Sequence, residues 1–137
     1  MLKYGILYQW AAKSALPLAA KNNVAVLNMA PVRLSLTNPD QLRALLAEWE
    51  EAGLIAAGVL PAKDPLGWLV GTGTPSVVAA GYKFGADHPG ISTVITGTSS
   101  IEHLEQNAAA LQNPVLPEPD HHRLVEIFAK SALPFSP

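Results

Sequence analysis

The residues best suited to chemistry in this 137-residue chain lie where Ile91-Ser-Thr-Val-Ile-Thr96 runs into Gly97-Thr98-Ser99-Ser100 and on to Gln106-Asn107. A β-branched run gives way there to helical spacing, and Ser99 with Glu102 has the S-x-x-E separation of a capping box. A strand delivered into a capped helix leaves backbone N–H groups unpaired at the turn. Those donors, together with the helix dipole, suit a phosphate or a carboxylate. An ordinary strand-to-helix connection uses the same residue types, so spacing alone leaves both readings open.

Other combinations read more plainly. Gly71-Thr-Gly-Thr-Pro-Ser76 approaches the dinucleotide fingerprint G-x-G-x-x-G. It lacks the third glycine, and no acidic residue follows about 20 positions on to hold a ribose. A turn followed by a helix with proline in its first position is the expected structure. Tyr82 and Lys83 suggest an acid/base pair, but neighbours on a helix point about 100° apart. Tyr82 is therefore expected at the edge of the core and Lys83 in solvent. His121 and His122, with Glu118, Asp120 and Glu126 nearby, offer metal-ligand types. His122 and Glu126 share a helical face at i, i+4, but a complete site needs three or four ligands. These residues read as the first turns of an amphipathic helix, with Leu124, Ile127 and Phe128 facing the core, and no metal site is assigned.

The elements that must position the Gly97 turn follow from periodicity. Residues 2–8 and 24–28 read as buried strands, joined by a helix over 11–22 that tolerates Pro17 only if proline falls in the first turn. Asn38-Pro-Asp-Gln41 supplies an N-cap with proline behind it. Leu42, Leu45, Leu46 and Trp49 then mark an apolar face, and Gly53 ends the helix. Residues 58–73 form a loop region, and a helix opens at 74–76 and runs to about 87. A third strand over 91–96, its capped helix to about 111, and a last helix over 119–132 complete the chain. Strand–helix–strand–helices–strand–helix reads as repeated βα units of the α/β class. In a parallel βα barrel, loops after the last strands are the usual phosphate site.

Composition narrows the partners. Hydrophobic residues make up 49% and charged residues 15%, which fits one domain with a core of its own. A net charge of -2 gives no reason to expect nucleic acid. With no cysteine there are no disulfides and no thiolate ligands. The first ten residues, broken by Gly5 and Gln9, do not read as a secretory leader, and no apolar run is long enough to span a bilayer. A cytoplasmic protein with neither membrane nor nucleic acid as partner is the expectation.

The strand, Gly97-Thr98-Ser99-Ser100, and then His103-Leu104-x-x-Asn107 resemble the cofactor segment of the aldo/keto reductases. Residues 2–10, followed by Ala15-Leu-Pro-Leu-Ala-Ala-Lys-Asn-Asn-Val-Ala-Val-Leu-Asn-Met-Ala-Pro31, are similar to that family's sixth and seventh barrel strands with their helix. Residues 82–98, with His88-Pro-Gly-Ile-Ser-Thr-Val inside, resemble the approach to the eighth. The resemblance covers nearly the whole chain in order. It implies the C-terminal part of a (β/α)8 TIM barrel, about three parallel strands with flanking helices, as a single partial domain over 1–137.

By that resemblance Gly97, Thr98, Ser99 and Ser100 bind the phosphate of the adenosine half of a nicotinamide cofactor. Asn107 contacts adenine, and Gln106 holds a position usually occupied by Glu. Family members that use NADPH often place Lys and Arg where this chain has Gly97 and His103, so the resemblance implies NAD or NADP equally. Met29 stands where an aromatic commonly stacks on the nicotinamide. The family's catalytic Asp, Tyr, Lys and His lie on earlier strands, and no residue here sits in the matching motifs, so no catalytic residue is assigned. The implied activity is hydride transfer to a small carbonyl or sugar-like substrate, completed by strands upstream of this chain. A non-catalytic nucleotide-binding or oligomerisation remnant is the alternative. A three-strand piece would leave two open edges and an uncovered face, and self-association or pairing with an N-terminal half is expected. Substrate contacts could come only from the loops after Met29 and around 58–73. Trp68 is expected to serve packing rather than a pocket.

Overall fold

The computed structural model describes residues 1–71 and 73–130. In chain order its elements are α1 (Trp10–Lys13), α2 (Ala15–Lys21), β1 (Leu27–Asn28), α3 (Leu34–Thr37) and α4 (Pro39–Glu51). A 3-10 turn (Gly67–Leu69), α5 (Val77–Asp87), β2 (Thr93–Val94), α6 (Ile101–Gln112) and α7 (Glu118–Phe128) follow. β1 and β2 pair in parallel, with Leu27 opposite Thr93 and Asn28 opposite Val94.

This corrects the expected fold. The described residues are mostly helical around a two-strand sheet, not three strands of a (β/α)8 barrel portion. The backbone bonds say why. Leu2 makes a single parallel bridge to Asn28. The chain then closes on itself, Gly5 N–H donating to Tyr8 O and Tyr8 N–H to Gly5 O, so the pairing begun at Leu2 does not run on through residue 8. Of the second expected strand, Val24 N–H is taken by Ala19 O at the end of α2 and Val26 N–H by the Ser92 hydroxyl. In the third, the N–H groups of Ser92 and Thr93 converge on the single carbonyl of Val26, and Ile95 N–H continues the ladder to Asn28 O. β-branched runs raise strand propensity, but a strand exists only where a neighbour offers its backbone.

The helices follow the sequence more closely. Asn38 caps α4 by accepting from the N–H groups of Asp40 and Gln41. At the other end Gly53 adopts φ +69°, Leu54 N–H reaches Trp49 O and Gly53 N–H reaches Glu50 O, a Schellman closure. The expected helix over 11–22 breaks at Ser14 instead, which puts Pro17 in the first turn of α2, where it opposes no intrahelical carbonyl. Ser76, not Pro75, opens α5 by accepting from Ala79 N–H, so proline precedes the cap. α7 ends at Phe128, short of residue 132, and residues 131 and 132 lie outside the described set.

Ile6, Leu7, Leu16, Leu66, Phe84, Leu124 and Phe128 are fully buried in the main core. Trp49 of α4 meets Phe128 of α7 edge-on at 6.3 Å, and Phe84 of α5 stacks on Tyr4 at 5.5 Å. At the centre lies Asn28, with no exposed surface. Its Nδ2 donates to Tyr4 O at 2.7 Å and Gly85 O at 3.0 Å, and its Oδ1 accepts from Tyr4 N–H and Ala30 N–H. One amide thus joins the N-terminal segment, β1 and α5, and no buried polar side-chain atom among the described residues lacks a partner. Among the described residues no helix is long and apolar enough to cross a membrane.

α5 also sets the position of the chain after β1. Gly81 and Gly85 lie four apart on one helical face. A Cβ on Gly85 would come within 2.5 Å of Pro31 Cβ, and one on Gly81 within 2.9 Å of Val32 Cγ2. The missing side chains let residues 31–36 lie directly against α5, and that segment forms one wall of the candidate site.

Candidate functional site

Between α3, the start of α4 and residues 63–65 on one side, and α5 with the start of α6 on the other, lies a cleft of about 720 Å³. Gly97, Thr98, His103, Gln106 and Asn107 line it, so five of the seven residues expected to bind cofactor share one wall. Ser99 and Ser100 are not among the lining residues. The Ser100 hydroxyl accepts from His103 N–H as the N-cap of α6, and Thr98 Oγ1 accepts from Ser100 N–H. The capping pair is therefore Ser100 with His103, one residue on from Ser99 with Glu102. Glu102 instead accepts from Gln106 Nε2 at 3.2 Å, a turn further along the helix. The amides of Ile101 and Glu102 stand in the first turn of α6, where the helix itself supplies no acceptor.

Gly97 is exposed, and a Cβ built there would meet nothing within 4 Å. Neither packing nor backbone conformation demands glycine at this position. Its absent side chain leaves peptide groups open to the cleft.

Beneath this wall lies a polar cluster that periodicity did not reveal. Tyr82 Oη and Thr96 Oγ1 are 2.8 Å apart, and Asn107 Nδ2 donates to Thr96 Oγ1 at 2.8 Å and to Tyr82 Oη at 3.4 Å. Both Asn107 donors are thus used inside the fold, leaving Oδ1 as its remaining polar atom. Tyr82 is buried, as a core-edge residue should be, but its hydroxyl ties α5 to the end of β2 and to α6. Lys83 departs from expectation: it is 4% exposed, and its ammonium donates to Asn113 O at the C-terminal end of α6. A cation there satisfies a terminal carbonyl and complements the helix dipole.

The opposite wall brings charge that distance in sequence concealed. Arg33, Arg43 and Lys63 line the cleft, against the one lining carboxylate, Asp64. The Arg33 guanidinium lies 5.0 Å over the Tyr8 ring. Arg43 is held by the Asp40 carboxylate, three residues before it, and by Lys63 O at 3.4 Å. The loops after Met29 and around 58–73 do reach the cleft, then, the first bringing Arg33 and the second Lys63 together with Asp64. Met29 itself is exposed at the end of β1 and is not a lining residue.

The remaining candidates lie in a turn, in packing contacts or in solvent. Gly71 and Thr74 exchange backbone hydrogen bonds in a tight turn, with Gly73 at φ +82°, and Thr72 lies outside the described residues. That segment is a turn leading to the Ser76 cap. Trp68 donates to Pro65 O and carries the Arg123 guanidinium 4.3 Å over its ring. His121 stacks on Phe84 at 5.1 Å, His122 faces Glu126 at 3.6 Å in solvent, and no group of three metal-ligating side chains forms among the described residues.

Two groups are shifted away from the cleft. Burial, and secondarily the charge of Asp87, pushes the Tyr4 phenol up to about 12. Burial, with the charge of His121 behind it, holds His88 below its ordinary value against the opposing pull of Asp87. His88 Nδ1 accepts from Gly90 N–H at 3.0 Å.

Compared with protein families, with curated proteins and with solved structures, the chain matches none.

Proposed function

We propose that this chain carries the adenosine-phosphate site of an NAD(P)-dependent oxidoreductase acting on carbonyl or alcohol substrates, the chemistry of the aldo/keto reductases its sequence resembles. The observation that carries the reading is the single cleft shared by Gly97, Thr98, His103, Gln106 and Asn107. Peptide N–H groups at the start of α6 would meet phosphate oxygens in a field made favourable by the helix dipole. Gln106 and the free Oδ1 of Asn107 would address the adenine edge, with Oδ1 accepting from its exocyclic amino group. When bound, the cofactor supplies the hydride; the chain's own contribution is to hold and orient its adenosine half. The Asp, Tyr, Lys and His that would move the proton are not assigned to any residue of this chain, so alone it binds without turning over.

Titration of the 15N-labelled protein with NADH and NADPH tests this. The backbone resonances of Gly97, Thr98, His103 and Gln106 shift on binding, and spectra that stay unmoved at millimolar nucleotide defeat the reading. Cofactor oxidation against a panel of aldehydes tests the second half, since turnover by the chain alone contradicts a missing catalytic set.

A non-catalytic association module is the second reading. Leu27, Met29 and Ile95, exposed at 37%, 46% and 41% at the two strands, favour it. Alternation along paired strands puts them on one uncovered side of the sheet.

A further inference from the structure

Tyr4, Phe84, His88 and His121 form one group of rings where the N-terminal segment, the end of α5 and the first turns of α7 meet. Phe84 stacks on Tyr4 at 5.5 Å and on His121 at 5.1 Å, while His88 meets Tyr4 edge-on at 5.2 Å. We propose that His88 and His121 make this group a proton-operated latch, which holds residues 88–92 closed near neutral pH and releases them in acid. The inference lies outside the cleft and does not depend on its nucleotide reading.

Three observations carry it. First, the atom that takes the proton is the atom that holds the turn. His88 Nδ1 accepts from Gly90 N–H at 3.0 Å, so the neutral ring carries its hydrogen on Nε2. A proton added at Nδ1 makes that nitrogen a donor facing a donor, and the bond is lost. Second, the turn stands where the parallel pairing begins. Ile91 N–H donates to His88 O and Ser92 N–H to Val26 O, each at 2.9 Å, and the Ser92 hydroxyl accepts from Val26 N–H. Loosening at Gly90 therefore reaches the entry to β2 within two residues.

Third, the surroundings oppose a second charge. His88 and His121 are both half-buried, and the charge of His121 on α7 acts against a charged His88. The Tyr4 phenol stays neutral well past the range of histidine titration. Asp87, the preceding residue on α5, favours the charged ring, but burial and His121 outweigh it and hold His88 below its ordinary value. With the turn open, the ring is hydrated and charges freely. Proton binding thus favours the open turn, and closure is lost as pH falls through the lowered value.

Native-state hydrogen exchange of the whole chain at about pH 7.5 and about pH 5, corrected for intrinsic rates, reads the latch amide by amide. Protection at Gly90, Ile91 and Ser92 is expected to fall about fivefold or more in acid, as loss of one turn hydrogen bond would give. That fall exceeds the one at Leu46 and Trp49 of α4. In His88→Gln the excess disappears, and in His121→Phe, which keeps a ring against Phe84, it shrinks. Ring 15N shifts of the native chain give a signature that needs no variant, with His88 Nδ1 unprotonated at neutral pH. A proton on that nitrogen at neutral pH overturns the inference. So does protection that is unchanged in acid, that falls equally throughout the chain, or whose excess is undiminished in either variant.

Discussion

The Tyr82 hydroxyl and the Thr96 hydroxyl lie 2.8 Å apart beneath the cleft, and Asn107 Nδ2 reaches both. Tyr82 belongs to α5, Thr96 follows β2 and Asn107 lies on α6, so one small polar cluster sets three elements at the angle that makes the wall. Tyr82→Phe removes the phenolic oxygen and leaves the Asn107 amide with an unmatched donor in a buried place. A loss of roughly 1–3 kcal/mol is expected, read from urea unfolding. A double-mutant cycle with Thr96→Val should show coupling of about 0.5 kcal/mol or more, since groups in one network do not add. Strict additivity would mean that the hydroxyls are neighbours without being partners.

Asn28 should be far less replaceable than its small size suggests. Asn28→Leu has nearly the same volume but strands the carbonyls of Tyr4 and Gly85 and the N–H groups of Tyr4 and Ala30. At roughly 1–3 kcal/mol for each buried group left unsatisfied, the variant approaches the whole stability of a small domain. Loss of the cooperative thermal transition is the expected outcome. A melting temperature within a few degrees of the native one would contradict the assigned role.

Glycines at different positions should answer alanine differently. Gly85→Ala drives a methyl to 2.5 Å from Pro31 Cβ, and overpacking of about 1–3 kcal/mol outweighs the gain in helix propensity of about 1 kcal/mol. Gly53→Ala meets no atom but must hold φ +69°, which costs about 1–2 kcal/mol. Gly97→Ala meets neither obstacle, and its unfolding midpoint should match that of the native chain. Denaturant midpoints of the three variants, measured together, test the ordering.

The two shifted groups act on opposite limbs of the stability–pH curve. The folded state holds His88 below its usual 6.5, so its contribution is complete above that value and is lost as pH falls through the lowered pKa. For Tyr4 the folded value is about 12 against 10.0, so its contribution is complete below pH 10 and is lost as pH rises toward 12. Urea midpoints should fall on both sides, with His88→Gln flattening the acid limb and Tyr4→Phe the alkaline one. An unchanged acid limb in His88→Gln would assign that limb to other groups.

Self-association through the uncovered side of the sheet is expected at high protein concentration. Replacing Leu27 by Ser and Ile95 by Thr should shift sedimentation toward the monomer with little change in the melting temperature. A native chain that sediments as a monomer at every concentration would count against this.

What could be read from the sequence depended on whether the signal was local. α4 was legible at both ends because Asn38, Pro39 and Gly53 act within a turn of where they stand. The extent of the strands was not legible, because β-branched residues state a preference while the partner backbone decides. Tyr8 folding back on Gly5 removed one strand, and Ala19 and Ser92 took N–H groups from another. At the site, residues 97–107 were legible as a cap and turn, shifted by one position. Arg43 and Lys63 were not, since nothing in their neighbourhoods announces that residues 20 positions apart meet and line the same cleft as His103. The burial of Lys83 was not legible for a related reason, because its acceptor lies thirty positions away.

α6 is fastened to α5 at two levels, by Asn107 on Tyr82 and by the Lys83 ammonium on the carbonyl of Asn113. A helix pinned in this way cannot slide or tilt to greet an incoming molecule, so its geometry is settled before any encounter. Arrival should then follow single-exponential kinetics whose observed rate rises linearly with concentration, without the plateau that a slow rearrangement would impose. Whatever occupies the cleft meets a dock already in place.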